Sequence, residues 1–225
     1  MIRKLGTITP GQAPRADITP LLEAALPPGV ELVQYGILDG LTPEEIAHRF
    51  APVENQPVII SRLLDESSVV MDKAMVEGAF QALVNRLESE GCGTILLLCT
   101  GKFDHLSATR AHLIEPQKIL APVLKALTEG RRIGVLVPLA EQIESEKTKW
   151  AGLSEDPVVA AVSPYLGGDK ELRAAARRLA DQGAEILLTD CMGFVETHRR
   201  AAREASGLPV LLSTALIAKL VAEVI

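Results

Sequence analysis

The sequence contains 225 residues, enough for one or two domains with a full hydrophobic core. Hydrophobic residues make up 48% of the chain and charged residues 23%, values that are ordinary for a soluble globular protein. The net charge of −6 argues against nucleic acid as a partner, because proteins that bind nucleic acid present a basic face. A small anion is still an acceptable ligand, since one arginine or one helix N-terminus can bind it.

The cysteine content favours a reducing compartment. There are three cysteines, an odd number, and residues 1–10 hold two basic residues, a glycine and a proline where a signal peptide would be apolar. We therefore expect a cytoplasmic protein with free thiols and no structural disulfide. The most apolar stretch, 208–225, is interrupted by Pro209, Lys219 and Glu223, which favours a strand and an amphipathic helix over a membrane span.

Hydrophobic patterning predicts alternating strands and helices along the whole chain. In the first half we expect strands at 4–8, 31–35, 58–62, 67–70 and 94–98, and helices at 19–26, 42–50, 71–90, 107–114 and 116–127. In the second half we expect strands at 133–137, 158–162, 186–188 and 210–213, and helices at 141–150, 169–182, 194–205 and 216–224. This order predicts an α/β protein whose parallel sheets are flanked by helices.

Two internal repeats indicate that the halves are alike. RKLGTITP (3–10) resembles RRIGVLVP (131–138), and TILLLCTGKF (94–103) resembles ILLTDCMGF (186–194). A strand followed by glycine is common in α/β proteins, so chance similarity is the competing interpretation. Duplication predicts two similar lobes, 1–128 and 129–225, with the final helix packing back on the first lobe.

Each half delivers one cysteine, Cys99 or Cys191, to the end of an apolar strand. Ligands of open α/β sheets bind beyond the carboxyl ends of strands. Two thiols on opposite sides of a ligand could exchange protons with one carbon, which is racemisation or epimerisation without a cofactor. A free thiol titrates near ~8.5, and a helix N-terminus after each cysteine would favour the thiolate. The Asp190 carboxylate would oppose this unless, as strand alternation predicts, it points elsewhere.

The competing interpretation of a cysteine in an apolar strand is a small buried hydrophobe. It is the preferred interpretation for Cys92, which precedes a strand between two glycines.

The loop TPGQAPRAD (9–17) is the candidate anion site. Its amides and Arg15 could hold a carboxylate, with hydrogen bonds from Thr9 and Gln12. The alternative is a solvated arginine in a rigid turn. The corresponding loop of the second half begins at Pro138 and lacks an arginine, so one lobe alone would hold the anion.

Metal binding has no support in the sequence. His48, His105, His112 and His198 show no metal-ligand spacing with cysteines or acids. The basic run 198–203 is most simply a solvated helix face. There is no glycine-rich phosphate loop.

Five segments resemble the AroM family: TPGQAPRAD, CTGKF, VPLAEQ, LTDCMGF and LPVLLSTALIAKLVAE. The resemblance covers essentially the whole chain. AroM proteins are similar in architecture to the cofactor-independent Asp/Glu/hydantoin racemase superfamily. That similarity implies two α/β lobes, a ligand cleft between them, and a cysteine from each lobe as acid or base, here Cys99 and Cys191.

The residues after each cysteine depart from the racemase pattern. Racemases usually follow the first cysteine with Asn-Thr and the second with Thr-His, whereas this chain has Thr100-Gly101 and Met192-Gly193. These four residues complete the predicted binding set. The residues that would bind the carboxylate and ammonium of an amino acid are not recognisable.

The leading hypothesis is therefore a cofactor-independent isomerase, a racemase or epimerase, acting on a small carboxylate. A one-cysteine decarboxylase or lyase and a non-catalytic anion-binding protein are alternatives. A thiol redox protein has the weakest support, because there is no CxxC motif. We expect no metal, no nucleic acid and no membrane partner, and association into a homo-oligomer is open.

Overall fold

A computed structural model describes residues 3–152 and 156–225. These residues form ten strands: β1 (Arg3–Thr9), β2 (Val30–Gly36), β3 (Val58–Arg62), β4 (Ser68–Asp72), β5 (Thr94–Leu97), β6 (His112–Ile114), β7 (Ile133–Val137), β8 (Val158–Ala161), β9 (Ile186–Thr189) and β10 (Val210–Leu212). They also form eight α-helices: α1 (Thr19–Ala25), α2 (Pro43–Phe50), α3 (Lys73–Ser89), α4 (Pro116–Leu127), α5 (Ile143–Trp150), α6 (Asp169–Asp181), α7 (Glu196–Ser206) and α8 (Ser213–Ala222). Across the described ranges, no helix combines the length and apolar character needed to cross a membrane.

The chain divides into two compact units. The first contains residues 3–117 and 218–225, and the second contains Lys118–Ile217. The C-terminal residues thus belong to the first unit, where the Arg3 guanidinium donates a hydrogen bond to the Ile225 carbonyl at 2.7 Å.

Each unit is built on one four-stranded parallel sheet. The strand order is β2-β1-β5-β6 in the first unit and β8-β7-β9-β10 in the second. If β1 is matched with β7 and β5 with β9, the two orders are the same. The predicted fold class, an α/β protein with two similar lobes of parallel strands, is therefore confirmed. The first unit also contains α2 and the antiparallel hairpin β3–β4, which lie at the helix and the two strands predicted for 42–50, 58–62 and 67–70.

The strands that precede the cysteines are buried on both faces. Every residue of β5 and of β9 is buried. Such strands are continuous apolar runs because helices cover both sides of a parallel sheet. Helix α2 begins with a capping box, in which Thr42 and Glu45 satisfy each other's backbone N–H groups.

The predicted helix at 107–114 is wrong. Residues 107–111 are irregular and His112–Ile114 is strand β6. Polar side chains of α3 accept the backbone N–H groups of this segment: Glu77 binds Asp104 and His105, Gln81 binds Ser107, and Glu88 binds Thr109, Arg110 and Ala111. Because these donors are already satisfied, the segment does not need a helix of its own.

A glycine in a central strand of each sheet lies in close contact with neighbouring side chains. A Cβ atom on Gly6 would lie 2.8 Å from Leu87 Cδ1. On Gly134, the matching position, it would lie 2.6 Å from Leu187 Cδ2 and 2.9 Å from Ala184 Cβ. All three distances are shorter than carbon contacts allow, so the packing at each position leaves no room for a side chain.

We predict that Gly134→Ala destabilises the protein by about 1–3 kcal/mol, because the new methyl group overpacks the core. Gly78→Ala is the matched control. Gly78 lies on the exposed face of α3, and a Cβ atom there would have no neighbour within 4 Å, so alanine should add about 0.5–1 kcal/mol of stability. Urea denaturation measures both changes, and equal effects at the two positions would contradict the packing argument.

Candidate functional site

The first cysteine loop leaves the sheet at the end of β5. The Cys99 sulfur is half-buried and accepts the backbone N–H of Gly101 at 3.4 Å. The loop is anchored two residues later by Phe103, which is 3% exposed and meets the Phe80 ring of α3 edge-on, with 5.1 Å between centroids. The expected helix directly after Cys99 is absent, because residues 98–111 are irregular. A backbone amide of the loop, that of Gly101, donates to this sulfur in place of a helix N-terminus.

The second cysteine loop repeats this local geometry at the end of β9. The half-buried Cys191 sulfur accepts the N–H of Gly193 at 3.4 Å. A further group, the Tyr165 hydroxyl, lies 3.9 Å from the same sulfur. A Cβ atom on Gly193 would lie 2.2 Å from that hydroxyl, so glycine is required for the tyrosine to sit there. Here a helix does follow, since α7 begins at Glu196.

Side chains of α7 and α8 hold the loop that contains Cys191 by hydrogen bonds. Thr214 donates its hydroxyl to the carbonyls of Met192 and Phe194, at 2.9 and 3.0 Å. The His198 ring accepts the N–H of Val195 at 3.0 Å. The Met192 side chain is 1% exposed and packs in the core. These bonds hold the backbone around the Cys191 thiol in one conformation.

Arg15 is buried rather than solvated, with 3% of its side chain exposed. Its guanidinium donates to both carboxylate oxygens of Asp17, at 2.8 and 2.6 Å, and to the Thr9 hydroxyl at 3.1 Å. Asp17 is thus the partner of Arg15, and α1 begins after Ile18 without a side-chain cap. The positive charge of the expected anion clamp is already balanced by a carboxylate of the protein.

Gln12 ties this loop to its neighbours. Its amide donates to the Leu38 carbonyl at 3.3 Å and accepts the N–H of Leu64 at 2.9 Å. Gln12 and Arg15 line a cavity of about 230 Å³ together with Pro14, Ala16, Asp17, Arg62, Leu63, Leu64 and Glu66. The hairpin β3–β4 and the turn within it therefore build one wall of the space beside Arg15.

In each unit, predicted site residues follow the carboxyl ends of two neighbouring strands. In the first unit β1 and β5 are neighbours, with Ile8 opposite Leu97, so Thr9 and the Cys99-Thr100-Gly101 loop follow adjacent strand ends. In the second unit Leu136 pairs with Thr189, so buried Pro138 and the Cys191 loop also follow adjacent strand ends.

Behind Cys191 lies a buried charged cluster that the sequence did not reveal. One Asp190 oxygen accepts hydrogen bonds from the Lys149 ammonium at 2.5 Å and the Trp150 indole at 2.9 Å. One Glu146 oxygen meets the same two groups, at 2.9 and 3.0 Å. The Asp190 carboxylate thus binds side chains of α5. The sequence did contain one indication of this cluster: Glu146, Lys149 and Trp150 have the i, i+3, i+4 spacing that places them on one face of a helix.

The ionisation of this cluster is unusual. Burial, reinforced by the Asp190 carboxylate, raises the pKa of Glu146 to about 8. For Lys149, burial disfavours the charged ammonium, but the carboxylates of Asp190 and Glu146 outweigh it and the pKa is raised. Near neutral pH the cluster therefore holds a protonated Glu146 beside a Lys149–Asp190 ion pair.

Among the described residues, no group of three or more histidines, cysteines and acids is arranged to hold a metal ion.

Cys92 differs from the other two cysteines. It is 3% exposed, and burial raises the pKa of its thiol.

We predict that iodoacetamide at neutral pH alkylates Cys99 and Cys191 well before Cys92, because the reactive thiolate of Cys92 is both scarce and inaccessible. Mass spectrometry of the digested protein measures the three rates, and alkylation of Cys92 as fast as the others would contradict its packing role.

The sequence profile of one family covers almost the whole chain. The profile of the AroM family, described as AroM protein, matches residues 5–225. The chain belongs to the AroM family. A comparison with curated protein sequences finds no match.

Solved structures of the Asp/Glu racemase superfamily resemble this AroM chain. The aspartate racemase of Picrophilus torridus has a TM-score of 0.60 and 16% identity, covering 98% of this chain and 94% of its own. The glutamate racemase of Aquifex pyrophilus has a TM-score of 0.61 and 12% identity, covering 99% and 84%.

A maleate cis-trans isomerase mutant of Nocardia farcinica, solved with a covalently bound succinylcysteine intermediate, has a TM-score of 0.58 and 15% identity, covering 99% and 92%. At these identities the likeness establishes the fold, which is that of the superfamily.

Proposed function

We propose that this AroM protein is a cofactor-independent isomerase, of the racemase or epimerase type, acting on a small carboxylate. The observation that carries the proposal is the matched geometry of two cysteine loops, in which each sulfur accepts the amide N–H two residues later at 3.4 Å. A hydrogen bond donated to sulfur favours the thiolate, the form that removes a proton. The family and the fold support a protein of the racemase superfamily.

In this mechanism one thiolate removes the hydrogen from the carbon next to the carboxylate. The electron pair of the broken C–H bond is delocalised into the carboxyl group, and the other thiol then donates its proton to the opposite face of the same carbon. The carbon is inverted: one sulfur now carries the proton taken from the substrate, and the other has given its own proton to the substrate. The proposal requires both sulfurs to reach one carbon, which stays a prediction.

The Tyr165 hydroxyl supports a role for Cys191 as the thiolate that removes the proton. Cys191 has the Tyr165 hydroxyl at 3.9 Å in addition to the Gly193 amide, so a thiolate there can receive a second hydrogen bond. Unequal environments are the usual way in which paired groups divide acid and base roles. The structure of the Nocardia farcinica isomerase with a succinylcysteine supports cysteine chemistry on a carboxylate in this fold.

For the substrate carboxylate we propose contacts with Thr9, Gln12 and Arg15 and with the loops at Thr100-Gly101, Pro138 and Met192-Gly193. Arg15 is the buried cation of this set, and Asp17 holds it in a fixed orientation. A substrate carboxylate at Arg15 therefore competes with Asp17 for the guanidinium.

We predict that Cys99→Ser and Cys191→Ser each lower inversion by at least ~10²-fold, because a hydroxyl is a far weaker base than a thiolate. Each variant should retain one-sided hydrogen exchange for a different enantiomer, since the remaining thiol can remove and return a proton on its own face. The measurement is α-hydrogen exchange in heavy water, followed by NMR over a panel of small 2-amino and 2-hydroxy acids.

Cys92→Ser is the matched control and should leave both rates unchanged, since Cys92 is buried away from solvent. Inversion that persists in Cys99→Ser would refute the two-thiol mechanism and favour a one-cysteine decarboxylase or lyase. If no compound exchanges faster with the wild type than with the double serine variant, the isomerase proposal loses its support.

A non-catalytic anion-binding protein is the second candidate, and the cavity beside Arg15 favours it. We predict opposite effects of two substitutions on the affinity for small mono- and dicarboxylates. Arg15→Lys should weaken binding about tenfold or more, because lysine cannot make the bidentate contact. Asp17→Asn should strengthen binding, because it removes the competing carboxylate.

Isothermal titration with each folded variant measures this pair of effects, with circular dichroism to verify folding. Affinity that is unchanged in both variants would exclude Arg15 as the anion contact. Saturable binding without hydrogen exchange would favour the binding protein over the isomerase.

A further inference from the structure

Asp190, the residue before Cys191, belongs to a buried cluster whose net charge changes when Glu146 gains or loses a proton. We infer that Glu146, Lys149 and Asp190 are positioning residues for Cys191, and that together they set the charge that its thiol experiences. The inference adds to the proposed function a group of residues that sets the pKa of one of the two thiols, Cys191. It rests on that function for its biological meaning, but the acidity of the thiol can be measured without any substrate.

Connectivity and burial carry the first step. Asp190 and Cys191 are consecutive residues, so their Cα atoms lie about 3.8 Å apart. The Asp190 side chain is 1% exposed, and those of Lys149 and Glu146 are 14% and 17% exposed. Water therefore screens these charges poorly, and salt at physiological strength screens over about 8 Å. A change of one unit in the cluster's charge acts on the neighbouring thiol.

The composition of the cluster carries the second step. Two carboxyl groups share one ammonium and one indole N–H. With Glu146 protonated, Lys149 and Asp190 cancel and the cluster is neutral. With Glu146 ionised, its charge is −1. A negative charge disfavours the thiolate, so loss of the Glu146 proton makes Cys191 a weaker acid.

The surrounding elements add little charge. Helix α5 packs on β7 and β8, whose residues carry no titratable side chain. The turn before α5 contributes Glu141, which is exposed, and the loop after β8 contributes Tyr165, which faces the Cys191 sulfur. On α5 itself, Glu144 is 82% exposed and pairs with Lys147 at the surface. Within residues 3–152 and 156–225, the ionisable groups that face Glu146 are thus Asp190 and Lys149.

The test measures the acidity of the Cys191 thiol from the rate of iodoacetamide alkylation between about pH 6 and pH 10, with mass spectrometry resolving each cysteine. We expect Glu146→Gln to lower the apparent pKa of Cys191 by at least about 0.5 unit, because this side chain has the same shape and never becomes negative. Lys149→Met should raise it, because the cation is removed. Glu144→Gln, on the exposed side of the same helix, is the control and should leave it unchanged.

Glu146→Gln decides the outcome even if Lys149→Met does not fold, since an amide oxygen can still accept the Trp150 N–H. An apparent pKa equal to that of the Glu144→Gln control, or a change of the opposite sign, would overturn the inference.

A second readout reports on Glu146 without the thiol. Its pKa is raised in the folded state, so the folded protein binds the extra proton and loses stability as pH rises from the unfolded value of about 4.5 to about 8. The melting temperature of Glu146→Gln relative to wild type should therefore rise over that interval. A pH-independent difference would show that Glu146 holds no proton and would refute the inference. A failure of the hydrogen-exchange experiment would leave both readouts intact, so the two proposals can fail separately.

Discussion

A backbone N–H that points back at a sulfur is the interaction on which both candidate loops depend. Each cysteine follows a fully buried parallel strand, and the chain must turn sharply there to leave the sheet. The amides of Gly101 and Gly193 lie two residues later and reach the sulfurs at the same distance. Aromatic anchors and helix side chains then serve to keep this turn in place. The candidate chemistry is thus an outcome of how a buried strand ends.

The same sheet topology supports two unequal environments. The first loop is held by the Phe80–Phe103 contact and by side chains of α3. The second is held by Thr214 and has both Tyr165 and the Lys149–Asp190 pair close by. The two sheets therefore supply equivalent backbone positions, whereas the side chains around them differ. In the proposed mechanism, a difference of this kind would let one thiol act as acid while the other acts as base.

A feature could be predicted from the sequence when the residues that form it lie close together along the chain. The capping box of Thr42, the hairpin β3–β4 and the two cysteine strands follow from residues close together in the chain, and they were predictable. The failures share another cause. The contact of Lys149 with Asp190, and that of Tyr165 with Cys191, join residues far apart in the chain, and no local pattern encodes them. The mistaken helix at 107–114 has the same origin, since side chains of α3 satisfy its backbone.

Those side chains of α3 have a consequence for protein engineering. Glu77, Gln81 and Glu88 lie on a half-buried helix face, where a design based on sequence alone would treat them as freely exchangeable polar positions. Together they bind six amides of the segment that follows the Cys99 loop, with Glu88 alone accepting three. Supercharging this surface with lysines would replace acceptors by donors and release the segment. A redesign that improves solubility would then disturb a thiol that it never touched.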